Sequence, residues 1–335
     1  MRPINGRTLF LNIMRKKANM ENHLVDEIIE CLPKQRSVFR YFKGRYAPML
    51  LRHVVGAGRP VAELKKTAFA ALLDKPEVKA ALAMAGHGVI TPQLLNSIWQ
   101  GQDYAFILTL GRWGSNRSNY DQTSRSGYNL VLQLNFSSQH DRVYRSMVQP
   151  GDTQMLNYCA HPVLRKNMRK YLRETLAWAR LDVDFASDTV LIEEIQSDWV
   201  RWAKYLLHHA RRRKALNWET VSWKSSEGKV DDVIRYCESV LTPYEQLWDE
   251  AMLAMTIDFI KNELGMSTIF YHSDRTGHLI KRIDSGKPPK SLYNTLPRRF
   301  CFSKTTQAPE FLFADRHFRR LYKKIAQPTW YSMTL

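Results

Sequence analysis

The chain has 335 residues, of which 44% are hydrophobic and 11% aromatic, and its 50 basic and 32 acidic residues give a formal net charge of +18. This composition argues against intrinsic disorder, and the length suffices for an extensive core. It contains no run of about 18 apolar residues, so we expect no membrane-spanning helix and no membrane partner. Four scattered cysteines without a CxxC pair favour free thiols in a cytoplasmic protein, and Cys159 and His161 lack a second pair for zinc.

The positive charge is concentrated near the two ends of the chain. Residues 1–100 carry 16 basic and 7 acidic side chains, and residues 281–324 carry 12 and 3. Such blocks attract polyanions, above all nucleic acid. In residues 36–46 (RSVFRYFKGRY) and 316–324 (RHFRRLYKK), arginines are interleaved with aromatic residues, which suits phosphate contact and base stacking. We therefore favour nucleic-acid binding over a basic surface that serves solubility alone.

The first part of the chain, residues 1–102, predicts a basic helical region. Residues 23–32 have a helical apolar period that ends at a proline, and residues 60–73 begin with a first-turn proline. Thr91 followed by Pro92 is a strong helix start.

From residue 103 to residue 305 the pattern predicts strands mixed with helices. The predicted strands are residues 103–113, 127–137, 175–185, 189–196, 267–274 and, after a turn, part of 291–302. The predicted helices are residues 163–176, 198–214, 244–265 and 276–283. We therefore expect an α/β (α+β) domain with a mixed sheet flanked by helices, and a basic aromatic tail, 306–335, that packs on it.

Residues 191–199, LIEEIQSDW, place an unusual number of polar groups where a predicted hairpin strand meets a helix. Strand alternation sends Glu193 and Glu194 to opposite faces unless the strand bulges. In one interpretation, a glutamate is a general base whose pKa is raised by burial near Trp199 and Trp202.

Two other interpretations of this stretch remain open. Asp182 or Asp184 on the preceding strand, together with Glu194 and Gln196, would hold Mg²⁺ for phosphodiester hydrolysis. Alternatively, the glutamates pair with arginines while Ser197 or Asp198 caps the next helix. Position by position, this last, structural interpretation is favoured.

Several other side chains are candidates for the same site or for phosphate contact. His272 and Arg275 end a strand and begin a helix, so His272 is expected near the glutamates, although a structural histidine is favoured there. The candidate nucleic-acid contacts are Arg112, Arg117, Arg125, Arg211, Arg212, Arg213, Arg275, Arg298 and Arg299.

The segments LVLQLNF, LAWARLD, VLIEEIQSDW, TGHLIKR and LYNTLPRRF together resemble a domain that recurs in large polyvalent proteins of bacteriophages and conjugative elements. The resemblance covers residues 127–305, and EIQSDW is its most specific part. The chain lacks the Gln/Gly-rich segment that usually follows the tryptophan. The resemblance implies a role in phage or mobile-element conflict, as anti-phage defence or counter-defence, and no particular reaction.

The order of elements also resembles the acetyltransferase fold of the GNAT type, and residues 293–302 resemble its terminal Tyr-x-x-x-x-Phe element. That resemblance implies Glu193 or Glu194 as the base, Tyr293 as the acid, and helix-start amides that receive the pyrophosphate of acetyl-coenzyme A. The Gln-x-x-Gly-x-Gly/Ala loop of the fold is missing, which argues against ordinary cofactor binding.

The leading expectation is a protein that binds nucleic acid through basic surfaces, with or without a protein partner. Acyl transfer and Mg²⁺-dependent nuclease activity are the alternatives, so whether the protein is an enzyme stays open. The expected site gathers the EEIQSD strand end with His272, Arg275 and Tyr293. Within that strand end we favour Glu194, together with Gln196 and Asp198, over Glu193.

Overall fold

The computed structural model describes residues 20–31, 37–85, 88–99, 101–115, 122–151, 155–164, 173–283 and 289–335. The strands are β1 (Ser37–Tyr41), β2 (Arg59–Pro60), β3 (Val89–Ile90), β4 (Tyr104–Ser115), β5 (Gly127–Asn135), β6 (Thr175–Asp184), β7 (Thr189–Gln196), β8 (Thr268–His272), β9 (Ser303–Thr305) and β10 (Trp330–Thr334). The α-helices are α1 (Asn22–Cys31), α2 (Tyr46–Val54), α3 (Val61–Leu64), α4 (Pro76–Met84), α5 (Pro92–Ser97), α6 (Ser138–Val148), α7 (Asp198–Ala215), α8 (Val230–Arg235), α9 (Thr242–Asn262), α10 (Asp274–Ile280), α11 (Leu296–Arg299) and α12 (Arg316–Tyr322).

Eight strands form one mixed sheet in the order β1-β4-β5-β6-β7-β8-β10-β9. Strands β7 and β8 run parallel to each other, and every other neighbouring pair is antiparallel. The predicted α/β class, with a mixed sheet flanked by helices, is confirmed. In the part of the chain that the structure describes, no helix is long and apolar enough to cross a membrane.

The two faces of the sheet are covered differently, because side chains alternate along each strand. Val190 and Ile192 of β7 belong to the main core, which lies under the long helix α9. Leu191, between them, belongs to a second cluster of buried side chains that includes Phe318 of α12 and Trp330 of β10. One face of the sheet therefore packs on α9, and the other packs on α12 and its neighbours.

The predicted hairpin of residues 175–185 and 189–196 is confirmed as β6 and β7. Every residue of β6 is buried. The turn between the strands is held by Asp184, whose carboxylate accepts hydrogen bonds from the Ser187 amide at 3.0 Å and hydroxyl at 2.5 Å. Asp188 adopts a positive φ of 52° there, a conformation that aspartate tolerates in turns.

The N-terminal region differs from the expected helical unit, because β1 pairs with β4 at one edge of the main sheet. The main core contains Leu24, Tyr41 and Leu50 together with side chains of β5 and α9. Glu250 of α9 ties the two regions together, since one of its carboxylate oxygens accepts the Tyr41 hydroxyl and the Gly44 amide, both at 2.7 Å. The boundary expected at residue 102 therefore does not separate two hydrophobic cores.

The C-terminal part also differs from the expected elements. The 306–335 tail supplies β10, which lies inside the sheet between β8 and β9. The segment 291–302, expected to contain a strand, forms a π-helical turn and α11, because Pro297 stands at a helix start, where proline is favoured. Of the expected helix 163–176, residues 165–172 lie outside the described part, and residue 175 already begins β6.

Candidate functional site

A β-bulge interrupts β7 in the middle of the EEIQ sequence. Arg180 of β6 pairs with Glu194, the next residue Leu181 pairs with Ile192, and Glu193 is the extra residue. A bulge of this kind turns two consecutive side chains towards one face of the sheet. The expectation that alternation separates the two glutamates is therefore wrong for this strand, because it holds only for a regular ladder.

Glu193 lies in a fully buried hydrogen-bond network, with 0% of its surface exposed. Its carboxylate accepts the Ser124 amide and the Ser124 hydroxyl, both at 2.9 Å, and lies 3.1 Å from Nε2 of His272. Burial alone would raise the pKa of Glu193, but the hydrogen bond from His272 and the charges of Lys281 and Arg180 lower it. The predicted proximity of His272 to the glutamates is thus observed.

Ser124, His272 and Glu193 do not have the arrangement of a Ser-His-acid catalytic triad. Ser124 Oγ lies 2.7 Å from His272 Nε2, the nitrogen that also faces Glu193. In a nucleophilic triad the serine and the carboxylate contact opposite nitrogens of the imidazole. Burial lowers the pKa of His272, so that this histidine favours the neutral form. We interpret the network as structural.

Glu194 is held by two cations on the same face as Glu193. Its carboxylate forms an ion pair with Arg180 and lies 3.5 Å from Lys281 Nζ, which also donates to the Glu193 carbonyl oxygen at 2.8 Å. Burial would raise the pKa of Glu194, but Lys281 and Arg180 lower it to about 2. Such a carboxylate is a weak base at neutral pH.

The carboxylates expected to hold Mg²⁺ have other partners. Asp182 accepts two hydrogen bonds from Arg125, both at 2.8 Å, in a buried bidentate pair. Burial raises the pKa of Asp182 to about 6 against the opposing effect of Arg125. Among the described residues, no three His, Cys, Asp or Glu side chains are grouped as metal ligands. Asp182, Asp184 and Glu194 therefore do not fit a Mg²⁺ site, because a cation would have to displace Arg125 and Arg180.

The acyltransferase roles also do not fit this geometry. Tyr293 is 5% exposed, and burial followed by the Glu194 charge raises its pKa well above the usual range. Glu193 is inaccessible, and at the start of α7, where a pyrophosphate would bind, the Val200 amide already donates to Ser197 and the acidic Asp198 stands in the first turn. The residues present therefore do not fit acetyl-coenzyme A.

The start of α7 follows the expected capping pattern. Ser197 is the cap, since its hydroxyl accepts the Val200 amide at 3.1 Å and donates to the Leu176 carbonyl at 2.6 Å. Buried residues of α7 recur at helical spacing and fasten one side of the helix to the main core: Trp199, Ala203, Leu206 and Ala210. Asp198 in the first turn is stabilised by the positive end of the helix dipole.

Asp198 and Gln196 converge on His161, a residue that the sequence indicates only as a possible zinc ligand. Asp198 Oδ2 lies 2.6 Å from His161 Nδ1, and the Gln196 amide donates to Asp198 Oδ1 at 2.7 Å. The same amide nitrogen lies 3.1 Å from His161 Nδ1, so the three side chains meet at one point. Asp198 is 1% exposed, whereas the His161 side chain is 24% exposed. We call this group the His161–Asp198 dyad.

Aromatic rings surround the imidazole of His161. The ring centroids of Tyr158, Trp178 and Trp113 lie 4.9, 5.4 and 6.4 Å from it. Local sequence patterns did not reveal this site, because His161 lies outside the helices and strands and 37 residues before Asp198. The sequence contains one indication of this site: Gln196 and Asp198 are predicted to lie on the same face at the end of the strand.

Most of the arginines expected to contact nucleic acid are engaged within the fold. Arg125 is buried against Asp182, and Arg117 lies outside the described residues. The others with a partner are Arg112 with Asp26 at 3.0 Å, Arg211 with Glu238 at 2.7 Å, Arg213 over the Trp218 ring at 3.5 Å, Arg298 over the Tyr331 ring at 6.0 Å and Arg299 with Asp249 at 3.4 Å. Arg212, Arg275 and Arg298 are exposed.

A basic cleft lies along α12, on the segment where arginines and aromatic residues were expected to alternate. Its volume is about 1020 Å³, and we call it the α12 cleft. It is lined by Ser126, Asp315, Arg316, His317, Arg319, Arg320, Lys323 and Lys324. The aromatic residues of the segment serve another purpose, since Phe318 is buried in the second cluster and Tyr322 stacks on it at 5.2 Å. The helix thus presents its charges and its rings on different sides.

Asp315 is the one carboxylate in the lining of the α12 cleft, and it caps the helix. It accepts the Phe318 amide at 2.8 Å and the Ser126 amide at 3.1 Å, and these bonds lower its pKa against the effect of burial. Among the described residues, none of the five lysines and arginines of the cleft has an ion-pair partner. Their charges are therefore available to a ligand.

Comparison of the chain with protein-family models, curated proteins and solved structures gives no significant match. The α12 cleft and the His161–Asp198 dyad are therefore the features of this chain that point to a function.

Proposed function

We propose that the protein binds nucleic acid through the α12 cleft. The observation that carries this proposal is a set of five exposed cations that line one open cleft and have no carboxylate partner among the described residues: Arg316, Arg319, Arg320, Lys323 and Lys324. Nucleic-acid affinity comes largely from neutralising phosphates with such side chains. A surface that served solubility alone would need neither a concave shape nor a cluster of positive charges.

The setting that we propose is phage or mobile-element conflict, in the cytoplasm. The similarity of residues 127–305 to a domain of polyvalent phage and conjugative-element proteins supports the setting of phage or mobile-element conflict. The free thiols of Cys159, Cys237 and Cys301 support the cytoplasmic location, because reducing compartments keep cysteines in this form.

The experiment compares two triple variants with the same change of charge. R319A/R320A/K323A removes three cations from the α12 cleft, and R211A/R212A/K214A removes three from α7. We expect the first to weaken binding of a labelled single strand about tenfold or more at low salt, and the second to change it little. Fluorescence anisotropy measures both affinities.

Equal affinities of the wild type and the cleft variant would contradict the proposal. Loss of binding in the α7 variant instead would move the site to Arg211 and Arg212, which the sequence also indicates. Circular dichroism of each variant checks that folding is unchanged.

A further inference from the structure

We propose that His161 is a general base that removes the proton from a ribose 2′-hydroxyl of single-stranded RNA, so that the bound chain is cleaved. This inference rests on the proposed nucleic-acid binding and adds a site, a substrate class and a reaction to it.

The His161–Asp198 dyad has the geometry that a general base requires. An ionised carboxylate only accepts hydrogen bonds, so the 2.6 Å contact with Asp198 places the ring proton on Nδ1. The lone pair is then on Nε2, which forms no hydrogen bond with any residue that the structure describes. Asp198 is held in place by Gln196 and by its position at the start of an 18-residue helix.

The surroundings of His161 suit an unstacked nucleotide. Tyr158, whose ring lies nearest, is 49% exposed and offers a face for base stacking. One cation stands beside the dyad, Arg201, with Nη2 3.8 Å from Asp198 Oδ1. Lys224, which donates to the Met155 carbonyl at 3.2 Å, adds positive charge that interacts electrostatically with Asp198. A phosphate next to the His161 imidazole would therefore find both a stacking surface and positive charge.

The dyad and the α12 cleft lie on the same face of the sheet and are linked by a short segment of chain. Ser126 lines the cleft. Four residues earlier, the Gln122 carbonyl oxygen accepts a hydrogen bond from Arg180 Nη2 at 3.0 Å. The Arg180 guanidinium stacks over Trp113, which is one of the rings around His161. Residues 122–126 span at most about 17 Å, and the contacts from Arg180 to Trp113 and from Trp113 to His161 add 5.1 and 6.4 Å. A single strand of several nucleotides that is held in the cleft can therefore extend to the dyad.

The ribose 2′-hydroxyl is the substrate group that this site can activate. Nε2 of His161 takes the 2′ proton, the 2′-oxygen forms a bond to the adjacent phosphorus, and the bond from phosphorus to the 5′-oxygen breaks. The departing 5′-oxygen takes a proton from water, and the products are a 2′,3′-cyclic phosphate and a 5′-hydroxyl end. The substrate brings its own nucleophile, so the step needs only a base and phosphate-binding cations.

The test uses the full chain and a short labelled single-stranded RNA in buffer with EDTA. We expect the wild type to produce ends that carry 2′,3′-cyclic phosphate, as measured by mass spectrometry, and to leave DNA and 2′-O-methyl RNA intact. H161Q should bind RNA as the wild type does but cleave it about 10²–10⁴ times more slowly. H208Q, which changes an exposed histidine of α7, should cleave at the wild-type rate.

Several results would overturn the inference. A wild-type protein that binds RNA and leaves it intact would remove the reaction while the proposed function stands, and a protein that binds no nucleic acid would remove both. Cleavage that continues in H161Q, or that extends to 2′-O-methyl RNA, would show that another group or another chemistry is responsible.

Discussion

Glu193 and Glu194 point to the same face of the sheet, although they are consecutive residues of one strand. The bulge opposite Arg180 and Leu181 makes this arrangement possible. The His272 hydrogen bond, with Lys281 and Arg180, lowers the pKa of Glu193, and Lys281 and Arg180 lower that of Glu194. Two adjacent carboxylates on one face, one buried and one partly buried, would repel each other without such cations. Lys281 and Arg180, both buried, therefore compensate the charges of Glu193 and Glu194, and the role of the two glutamates in this fold is to hold the end of β7.

We expect removal of the Glu193 carboxylate to destabilise the fold strongly. Glu193→Ala leaves Ser124 and His272 without their buried carboxylate acceptor, and breaking a buried charged network of this kind costs about 3–5 kcal/mol. Ser124→Ala, the matched control, removes one hydroxyl from the network and should cost about 1–2 kcal/mol. Urea denaturation midpoints measure both changes. Similar small losses in the two variants would show that the network contributes little.

Glu194 should make the stability of the protein sensitive to acid. Its pKa is lowered to about 2 in the folded chain from the ordinary value of 4.5, so its contribution is fully present above pH 4.5. The contribution is lost as the pH falls from 4.5 to 2, and the shift corresponds to roughly 3 kcal/mol. Denaturation of the wild type and of Glu194→Gln at several pH values measures it.

The difference in unfolding free energy between wild type and Glu194→Gln should be large at pH 7 and should shrink towards pH 2. In the variant the amide cannot ionise, so the part of the acid sensitivity that Glu194 causes disappears. A difference that stays constant over this range would contradict the ionised Glu194 pair with Arg180 and Lys281.

The sequence predicted the features of this fold that arise from local patterns. The β6–β7 hairpin and a helix cap at Ser197 or Asp198 each depend on neighbouring residues, and both are present, with Ser197 as the cap. The bulge at Glu193 was not predicted, because it depends on the pairing register between two strands. His161 was missed for a related reason, since only the folded chain brings it to Asp198 from a loop.

The N-terminal region shows the same limit of local patterns. Residues 37–41 include an arginine and aromatic residues, which indicated a nucleic-acid contact. Their position at the edge of the sheet, however, follows from pairing with β4. That pairing joins residues more than 60 positions apart, as between Tyr41 and Tyr104. Propensity cannot reveal such pairs, because β-strand stability depends on the neighbouring strand.

Glu250 should be essential for the attachment of the N-terminal region to α9. Glu250→Ala removes the acceptor of the Tyr41 hydroxyl and the Gly44 amide, and we expect a loss of about 3 kcal/mol in unfolding free energy. Glu245→Ala, on the same helix, breaks a surface ion pair with Lys204 and should cost less than about 1 kcal/mol. Thermal or urea denaturation compares the two variants, and equal effects would contradict the role given to Glu250.

The α12 cleft should make nucleic-acid binding depend on salt in a way that its variants reveal. Each phosphate contact with a single strand adds about 0.7 to the slope of log affinity against log salt concentration. R319A/R320A/K323A should therefore lower the magnitude of that slope by about 2, if each of the three side chains contacts one phosphate. The α7 variant R211A/R212A/K214A should keep the wild-type slope, because Arg211 and Lys214 are already paired with Glu238 and Asp231. Anisotropy titrations over a range of salt concentrations give the slopes, and an unchanged slope in the cleft variant would place the phosphate contacts elsewhere.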